Sequence, residues 1–474
     1  MKTFDNFIGG EFLPPSQDEY LPVVDPATGD TYAQVANATS EDLETALAKA
    51  ETAFADWSGH SIEERSRVLM KLADLIEENL TALAEAESLD TGKPLSLAST
   101  VDIPRAAANF RFFASAIVND ASQMHANERT LNYTLHKPLG VVGCISPWNL
   151  PLYLLSWKIA PALATGNCVI AKPSEVTPYT AWMLGDLANQ AGLPAGVLNI
   201  LHGAGAEIGE RLVTHPKIKA ISFTGGTHTG RRIGRLAGEQ LKKVSLELGG
   251  KNPVLVFADC DLEQAVRTSM RSAFTNQGEI CLCGSRIFVE SGIYEEFKQE
   301  FLQKVAHLEV GLPSADVDLG ALVSRAHLEK VSAYVSRAVG QGATVLAGGM
   351  PLQIGNGFFY APTVLEGLDA GCEINQQEVF GPVVTLIPFD AEEEAIQMAN
   401  GTNYGLAAVV WTENLKRAHR VAARMESGIV WVNCWMERDL RTPFGGVKLS
   451  GVGREGGVEA LRFFTEAQNI CIRR

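Results

Sequence analysis

From about residue 140 to residue 432 the chain alternates short apolar runs with amphipathic stretches, and few architectures accept that rhythm. Apolar strands are predicted over 141–144, 168–171, 197–201, 220–223 and 243–246, with helices at 152–163, 179–191, 206–213 and 229–237. Repeated strand–helix units of this length argue for a parallel, doubly wound α/β sheet. A second alternating region follows the Leu248-Gly249-Gly250 junction, with strands predicted over 254–257, 286–289, 344–347, 383–388, 407–411 and 429–432, and supports a second α/β domain. The N-terminal part reads as helical scaffold over 40–57 and 62–89, where apolar residues recur at helical spacing and Ser61 with Glu64 forms a capping box. Two strand-like segments, 130–136 and 467–472, stand outside both rhythms. They either pair into a small arm for oligomer contact or form surface hairpins.

With 474 residues, 46% of them hydrophobic and 20% charged, the chain has material for more than one core and hence roughly two or three domains. A formal net charge of -15 disfavours nonspecific attraction to nucleic acid or to an anionic membrane, since both are polyanions. A small-molecule substrate is the default. Residues 1–10 lack a secretory apolar core and no apolar run reaches membrane-spanning length, so the cytoplasm is the expected compartment. The eight cysteines, Cys144, Cys168, Cys260, Cys281, Cys283, Cys372, Cys434 and Cys471, are scattered as reduced thiols are. No Cys or His pair completes a metal site with Cys281-Leu282-Cys283, and no metal is predicted.

Glycine-flanked reactive groups mark the chemistry. Cys281 lies in Asn276-Gln277-Gly278-Glu279-Ile280-Cys281, and Glu247 ends a predicted strand in Glu247-Leu248-Gly249-Gly250. A thiol and a carboxylate are the parts needed for covalent catalysis followed by hydrolysis. Phe223-Thr224-Gly225-Gly226-Thr227 links a strand to a helix, where backbone N–H groups can face a phosphate, although its spacing departs from G-x-G-x-x-G and such turns are common. Lys172-Pro173-Ser174-Glu175 ends another strand and can hold ribose hydroxyls or be a solvated turn. Pro147-Trp148-Asn149-Leu150-Pro151 fixes an amide that can donate to an oxyanion, and a plain turn would use the same residues.

The order of these motifs, with Glu378-Val379-Phe380-Gly381-Pro382, Pro443-Phe444-Gly445-Gly446 and Ser450-Gly451-Val452-Gly453-Arg454-Glu455, resembles the aldehyde dehydrogenase superfamily over essentially the whole chain. The resemblance implies a doubly wound NAD-binding domain (residues 1–118 and 139–248), an α/β catalytic domain (249–449) and a small β oligomerisation arm (119–138 and 450–474), assembled as a homodimer or homotetramer. It implies Cys281 as nucleophile, Glu247 as general base and Asn149 as oxyanion donor. It further implies contacts to NAD from Trp148, Lys172, Ser174, Glu175, Thr224, Gly225, Gly226, Leu248, Glu378 and Phe380. A carboxylate at Glu175 would repel a 2′-phosphate, so NAD is expected over NADP. The family commonly carries Ser where this chain has Gly226.

Asp102-Ile103-Pro104-Arg105, the Cys281 segment, and Asn433-Cys434-Trp435 with Arg438-Asp439-Leu440-Arg441-Thr442-Pro443-Phe444 resemble the muconate semialdehyde dehydrogenases, which oxidise 2-aminomuconate 6-semialdehyde or its 2-hydroxy analogue. A substrate with a carboxylate far from its aldehyde needs a cation in the entry channel, and Arg offers bidentate geometry. Arg105 and Arg441 are the residues implied for that carboxylate, although Arg438 and Arg441 stand beside Glu437 and Asp439 and can form surface ion pairs instead. Trp157, Leu154 and Phe444 are implied as apolar walls, with core packing an equal account of Trp157 and Leu154. A specificity for betaine or aliphatic aldehydes is the alternative. A coenzyme A-dependent acyl transferase would not need Glu247, and a thiol hydrolase would want a His beside Cys281, where the motifs have none.

Overall fold

The computed structural model describes residues Met1–Arg474. Five parallel strands lie in the order Lys243–Glu247, Ile218–Thr224, Val141–Ile145, Cys168–Lys172, Leu198–Ile200. Val141–Ile145 and Cys168–Lys172 are buried at every position because helices cover both faces of the sheet, which is why they read as apolar runs with no alternation. Antiparallel strands finish both edges: Asn6–Ile8 and Glu11–Leu13 on one side, Gly451–Val452 on the other. The second sheet has seven strands, Thr344–Ala347, Thr363–Glu366, Val383–Phe389, Gly284–Glu290, Asn252–Val256, Ala407–Trp411 and Ile429–Val432 in spatial order, parallel except for the first.

The helices follow the expected ranges with informative departures. The 62–89 stretch divides into Ile62–Glu78 and Leu80–Thr91 at Asn79, whose amide donates to the Leu75 carbonyl at 2.9 Å and so competes with the helical ladder. The 206–213 stretch is a π turn, Gly205–Gly209, followed by Glu210–Thr214. A second π turn, Ala98–Asp102, leads into Ile103–Val118, the helix that carries Arg105. The short N-terminal strands within Lys2–Ala36, absent from the sequence reading, find their partners through long-range pairing.

Thr130–Pro138 and Thr465–Arg473 pair antiparallel along nine residues, with Met124–Ala126 on the outer side of the first. The remainder of 450–474 departs from the expected arm. Gly451–Val452 pairs with the strand of Glu247, and Ala460 and Leu461 of the helix Gly457–Phe463, with Phe464 just after it, sit in the core around the first sheet. The reason is apolar burial: these three side chains are at most 3% exposed. No helix is long and apolar enough to cross a membrane.

Candidate active site

Cys281 follows a turn of three left-handed residues, Asn276 (φ 54°), Gln277 (φ 55°) and Gly278 (φ 72°). Left-handed backbone costs roughly 1–2 kcal/mol for a residue with a Cβ, so Asn276 and Gln277 must be held there. Gln277 Nε2 donates to the Ala321 carbonyl at 3.2 Å, and Asn276 Nδ2 donates to the carbonyls of Asn149 at 3.3 Å and Glu279 at 3.2 Å. At Gly278 any side chain would collide with the Gly381 carbonyl, so this turn requires glycine sterically as well. Beyond the turn, Asn252 Nδ2 holds the Cys281 carbonyl at 2.7 Å.

Cys281 and Asn149 line one cavity of about 230 Å³ together with Trp148, Thr224, Gly225, Gly226, Leu248, Glu378 and Phe380. Asn149 is 3% exposed, and its Nδ2 donates to the Glu279 carbonyl at 2.8 Å, which leaves the second amide hydrogen free. Burial, then the carboxylates of Glu378 and Glu247, push the Cys281 thiol up, so the resting group is the neutral thiol. Glu247 is 3% exposed and lies against the backbone turn at Gly445, where an added Cβ would sit 2.6 Å from its Oε1. Neither of its oxygens has a hydrogen-bond partner. Burial, then Glu455, raise its pKa well above the ordinary carboxylate range against the pull of Lys158, Arg454 and Arg438.

A second cavity of about 450 Å³ runs along the carboxyl ends of the first sheet and contains Lys172, Ser174 and Glu175, with Trp148, Thr224, Gly225 and Gly226 shared between the two cavities. Lys172 Nζ donates to Glu175 Oε2 at 3.1 Å. Burial alone would raise the Glu175 carboxyl, but Lys172 and backbone donors outweigh it and hold it below the usual range, hence ionised. The Thr227–Gly238 helix opens here with no side-chain cap, and the hydroxyls of Ser146 and Thr224 are buried without partners. An uncapped helix start and orphaned hydroxyls beside a fixed carboxylate fit a dinucleotide. Glu378 accepts from the Gly250 N–H at 3.0 Å, and a side chain at Gly249 would collide with its carboxylate.

His327 and Lys330 also line the first cavity and were missed in the sequence. Their signal was an i, i+3 pair on one face of a helix capped by Ser324. His327 Nε2 donates to the Phe380 carbonyl at 2.6 Å, and its ring packs edge-on to Trp148 at 5.2 Å. Burial brings this imidazole down to about 4, so it is neutral.

The arginines divide differently from the expectation. Arg105 lies over the Tyr153 ring at 5.5 Å, with Nε and Nη2 buried and without partners. Arg441 does not join it: its side chain is 81% exposed and is clamped to Asp439, with Nε 3.0 Å from Oδ1. That short-range pair satisfies the guanidinium outside the cavity, so Arg441 is corrected to a surface residue. Arg438 takes the inner position, stacked 4.0 Å from the Phe444 ring centroid and 5.6 Å from that of Trp157, with Nη1 donating to the Tyr153 hydroxyl at 2.9 Å. Its charge is felt by Arg105, Cys281 and Glu247. Leu154 lines the first cavity, Trp157 is 3% exposed in the core around the first sheet, and Phe444 is 8% exposed beneath Arg438.

A thiol and an amide donor on one cavity, a buried carboxyl in the adjoining strand end and a crevice suited to a dinucleotide are parts that an oxidoreductase of thiol chemistry would use. Residues 12–470 match the Aldehyde dehydrogenase family, and the chain belongs to that family, whose members are NAD-dependent oxidoreductases acting on aldehydes. It is 51% identical over 479 residues to a 2-aminomuconic semialdehyde dehydrogenase of Bos taurus, covering 99% of this chain and 98% of the relative. It is 46% identical over 485 residues to a 2-hydroxymuconic semialdehyde dehydrogenase of Pseudomonas sp. (strain CF600), with both chains covered in full. Among solved structures, an NAD+ complex of an aldehyde dehydrogenase from Bacillus cereus superposes with a TM-score of 0.98 at 39% identity, over 100% of this chain and 97% of that one.

Proposed function

We propose that this protein oxidises an acidic semialdehyde, 2-aminomuconate 6-semialdehyde, to 2-aminomuconate, with Cys281 as nucleophile, Asn149 as oxyanion donor and Glu247 as general base. The observation that carries the substrate class is the buried, partnerless edge of Arg105 beside Arg438. The Nε and Nη2 edge of a guanidinium, free of protein partners, has the geometry of a bidentate receptor for a carboxylate. Betaine aldehyde would bring a third cation to this pair, and an aliphatic aldehyde would leave it unsatisfied. The relatives named for 2-aminomuconic and 2-hydroxymuconic semialdehydes support the same class.

In this reading Cys281 Sγ attacks the aldehyde carbon and its proton passes to solvent as the C–S bond forms, the one proton the overall oxidation releases. Burial, then the neighbouring acidic groups, disfavour a standing thiolate at Cys281. The Asn149 amide and the Cys281 N–H, which has no backbone acceptor, then meet the oxyanion. Lys172, Glu175 and the start of the Thr227–Gly238 helix would hold NAD, which when bound would supply the hydride acceptor needed to leave the Cys281 adduct as a thioester. Glu247 acts in its ionised form, which its raised pKa makes the minority form at low pH: the carboxylate, with both oxygens free, takes a proton from water, whose oxygen adds to the thioester carbonyl. The C–S bond breaks, the acid departs and Cys281 recovers its thiol. We further assign the nine-residue Thr130–Pro138 and Thr465–Arg473 ladder to a homodimer or homotetramer contact, and the enzyme to the cytoplasm.

A panel of muconate-type semialdehydes, betaine aldehyde and aliphatic aldehydes, followed by NADH absorbance, tests the specificity. The muconate types are expected to show the highest kcat/KM, with the 2-amino and 2-hydroxy forms compared directly. Preference for uncharged or cationic aldehydes would overturn the substrate class. Normal steady-state turnover by Glu247→Gln would remove the base.

A further inference from the structure

Lys93 is 0% exposed. It follows Gly92, whose left-handed φ of 75° ends the Leu80–Thr91 helix. Its ammonium donates to Asp102 and, at 2.9 Å, to the main-chain carbonyl of Asn149, while Glu87 Oε1 lies 3.9 Å away. Each contact belongs to a different part of the site. Asp102 closes the π turn that launches the helix of Arg105. Glu87 Oε2 accepts from the Leu152 N–H at 3.4 Å, in the first turn of the Pro151–Ala164 helix, and from the Thr180 hydroxyl at 3.0 Å. Asn276, from the turn before the nucleophile, shares the Asn149 carbonyl with Lys93.

Burying an ammonium between two carboxylates costs several kcal/mol of desolvation per ion, and a set of apolar side chains in place of all three groups would fill the same space as stably. What an apolar residue cannot do is fix the direction of a carbonyl. Holding the Asn149 carbonyl fixes the peptide plane that follows it, and with it the direction of the Asn149 Cα–Cβ bond and of the amide beyond. The same cation ties that peptide to the helix of Arg105.

We propose that Lys93 is a positioning residue: through the Asn149 carbonyl it sets the oxyanion-binding amide relative to Cys281, and through Asp102 it sets the distance from that amide to Arg105. The proposal rests on the reading of Asn149 as oxyanion donor. Misplacing a reacting or stabilising group by ~1 Å costs on the order of 100-fold. Lys93→Met is therefore expected to lower kcat about 30- to 100-fold and to leave the KM for NAD within about twofold, because the dinucleotide crevice is untouched.

The test is a double-mutant cycle with Asn149→Ala, read as steady-state kcat, with melting temperature and NAD KM as checks on the fold. If Lys93 acts through Asn149, adding Lys93→Met to Asn149→Ala lowers kcat by no more than about threefold further. Should Lys93→Met alone fail to fold, Lys93→Met with Asp102→Leu replaces the buried ion pair by an apolar one, an exchange folds commonly tolerate, and enters the same cycle. A folded Lys93 variant with wild-type kcat, or a loss that multiplies in full with that of Asn149→Ala, overturns the proposal. Asn149→Ala by itself tests the underlying reading. Normal turnover there removes both reading and proposal, whereas slow Asn149→Ala beside a fast Lys93 variant removes only the proposal.

Discussion

Replacing Arg105 by Met separates substrate recognition from stability, because the two effects should run in opposite directions. Nε and Nη2 of Arg105 are buried without partners, and an unsatisfied buried donor costs about 1–3 kcal/mol. Met keeps the apolar stem over the Tyr153 ring and removes those donors, so Arg105→Met is expected to melt at or above the wild-type temperature. A charge-assisted hydrogen bond to a substrate carboxylate contributes about 1.5–3 kcal/mol. At tenfold per ~1.4 kcal/mol, kcat/KM for the muconate semialdehyde should fall roughly 12- to 150-fold. An uncharged aldehyde never makes that bond, and its kcat/KM should change by no more than about threefold. The assay is NADH formation with both substrates on one enzyme preparation, alongside thermal melting. Arg441→Met is the internal control: clamped to Asp439 at the surface, it should leave both substrates within about twofold. Equal losses for charged and uncharged aldehydes, or a substrate-selective loss at Arg441, would refute the reasoning.

Gly226 has extended backbone and nothing within 4 Å of an added Cβ, so Gly226→Ser should fold normally and lower the KM for NAD by roughly two- to tenfold, one hydrogen bond's worth, in initial-rate assays. Glu175→Gln removes the ionised carboxylate beside Lys172, and kcat/KM for NADP should rise about tenfold while that for NAD falls. Glu247 keeps in the folded state a proton that the unfolded chain releases near 4.5, so its contribution to stability declines as pH rises above that value, until the folded group itself ionises. The isosteric Glu247→Gln should consequently melt above the wild type at about pH 8, with the difference vanishing near pH 4. An offset equal at both pH values would mean that Glu247 is ionised in the folded protein.

The parallel sheets were legible because their strands are buried on both faces and their connections are helical, two properties that write themselves into composition. The strands within Lys2–Ala36 were not: three of the five have only three residues, too few to carry a period, and some of their partners lie far away, as where Phe7 pairs with Ile200. Cys281, Asn149 and the glycines beside them sit in motifs whose order is itself the signal. Arg438 was illegible for a local reason. Between Asn433 and Arg441 the chain has no regular element and includes left-handed residues at 433 and 436, so no periodicity says which arginine turns inward. Lys93 was hidden by its own rarity: a lysine in a Gly-Lys-Pro turn reads as exposed, and only its carboxylate neighbours, Glu87 in the preceding helix and Asp102 in the following π turn, explain its burial.

The pairing of Gly451–Val452 with the strand of Glu247 also bears on how the enzyme is born. The outer neighbour of that strand, the Ser450 carbonyl that receives the Leu248 N–H at 2.9 Å, and the Glu455 carboxylate that holds Lys158 at 2.6 Å all come from about 200 residues further along the chain. At ~5–20 residues per second, a ribosome needs roughly 10–40 s to make that stretch. Throughout that interval one edge of the first sheet is open, and the carboxyl of Glu247 lacks the Gly445 turn it rests against. The nascent protein therefore passes through a long dark period in which its dinucleotide crevice can already take shape while its hydrolytic half cannot. Catalytic competence arrives late and all at once, when the tail folds back.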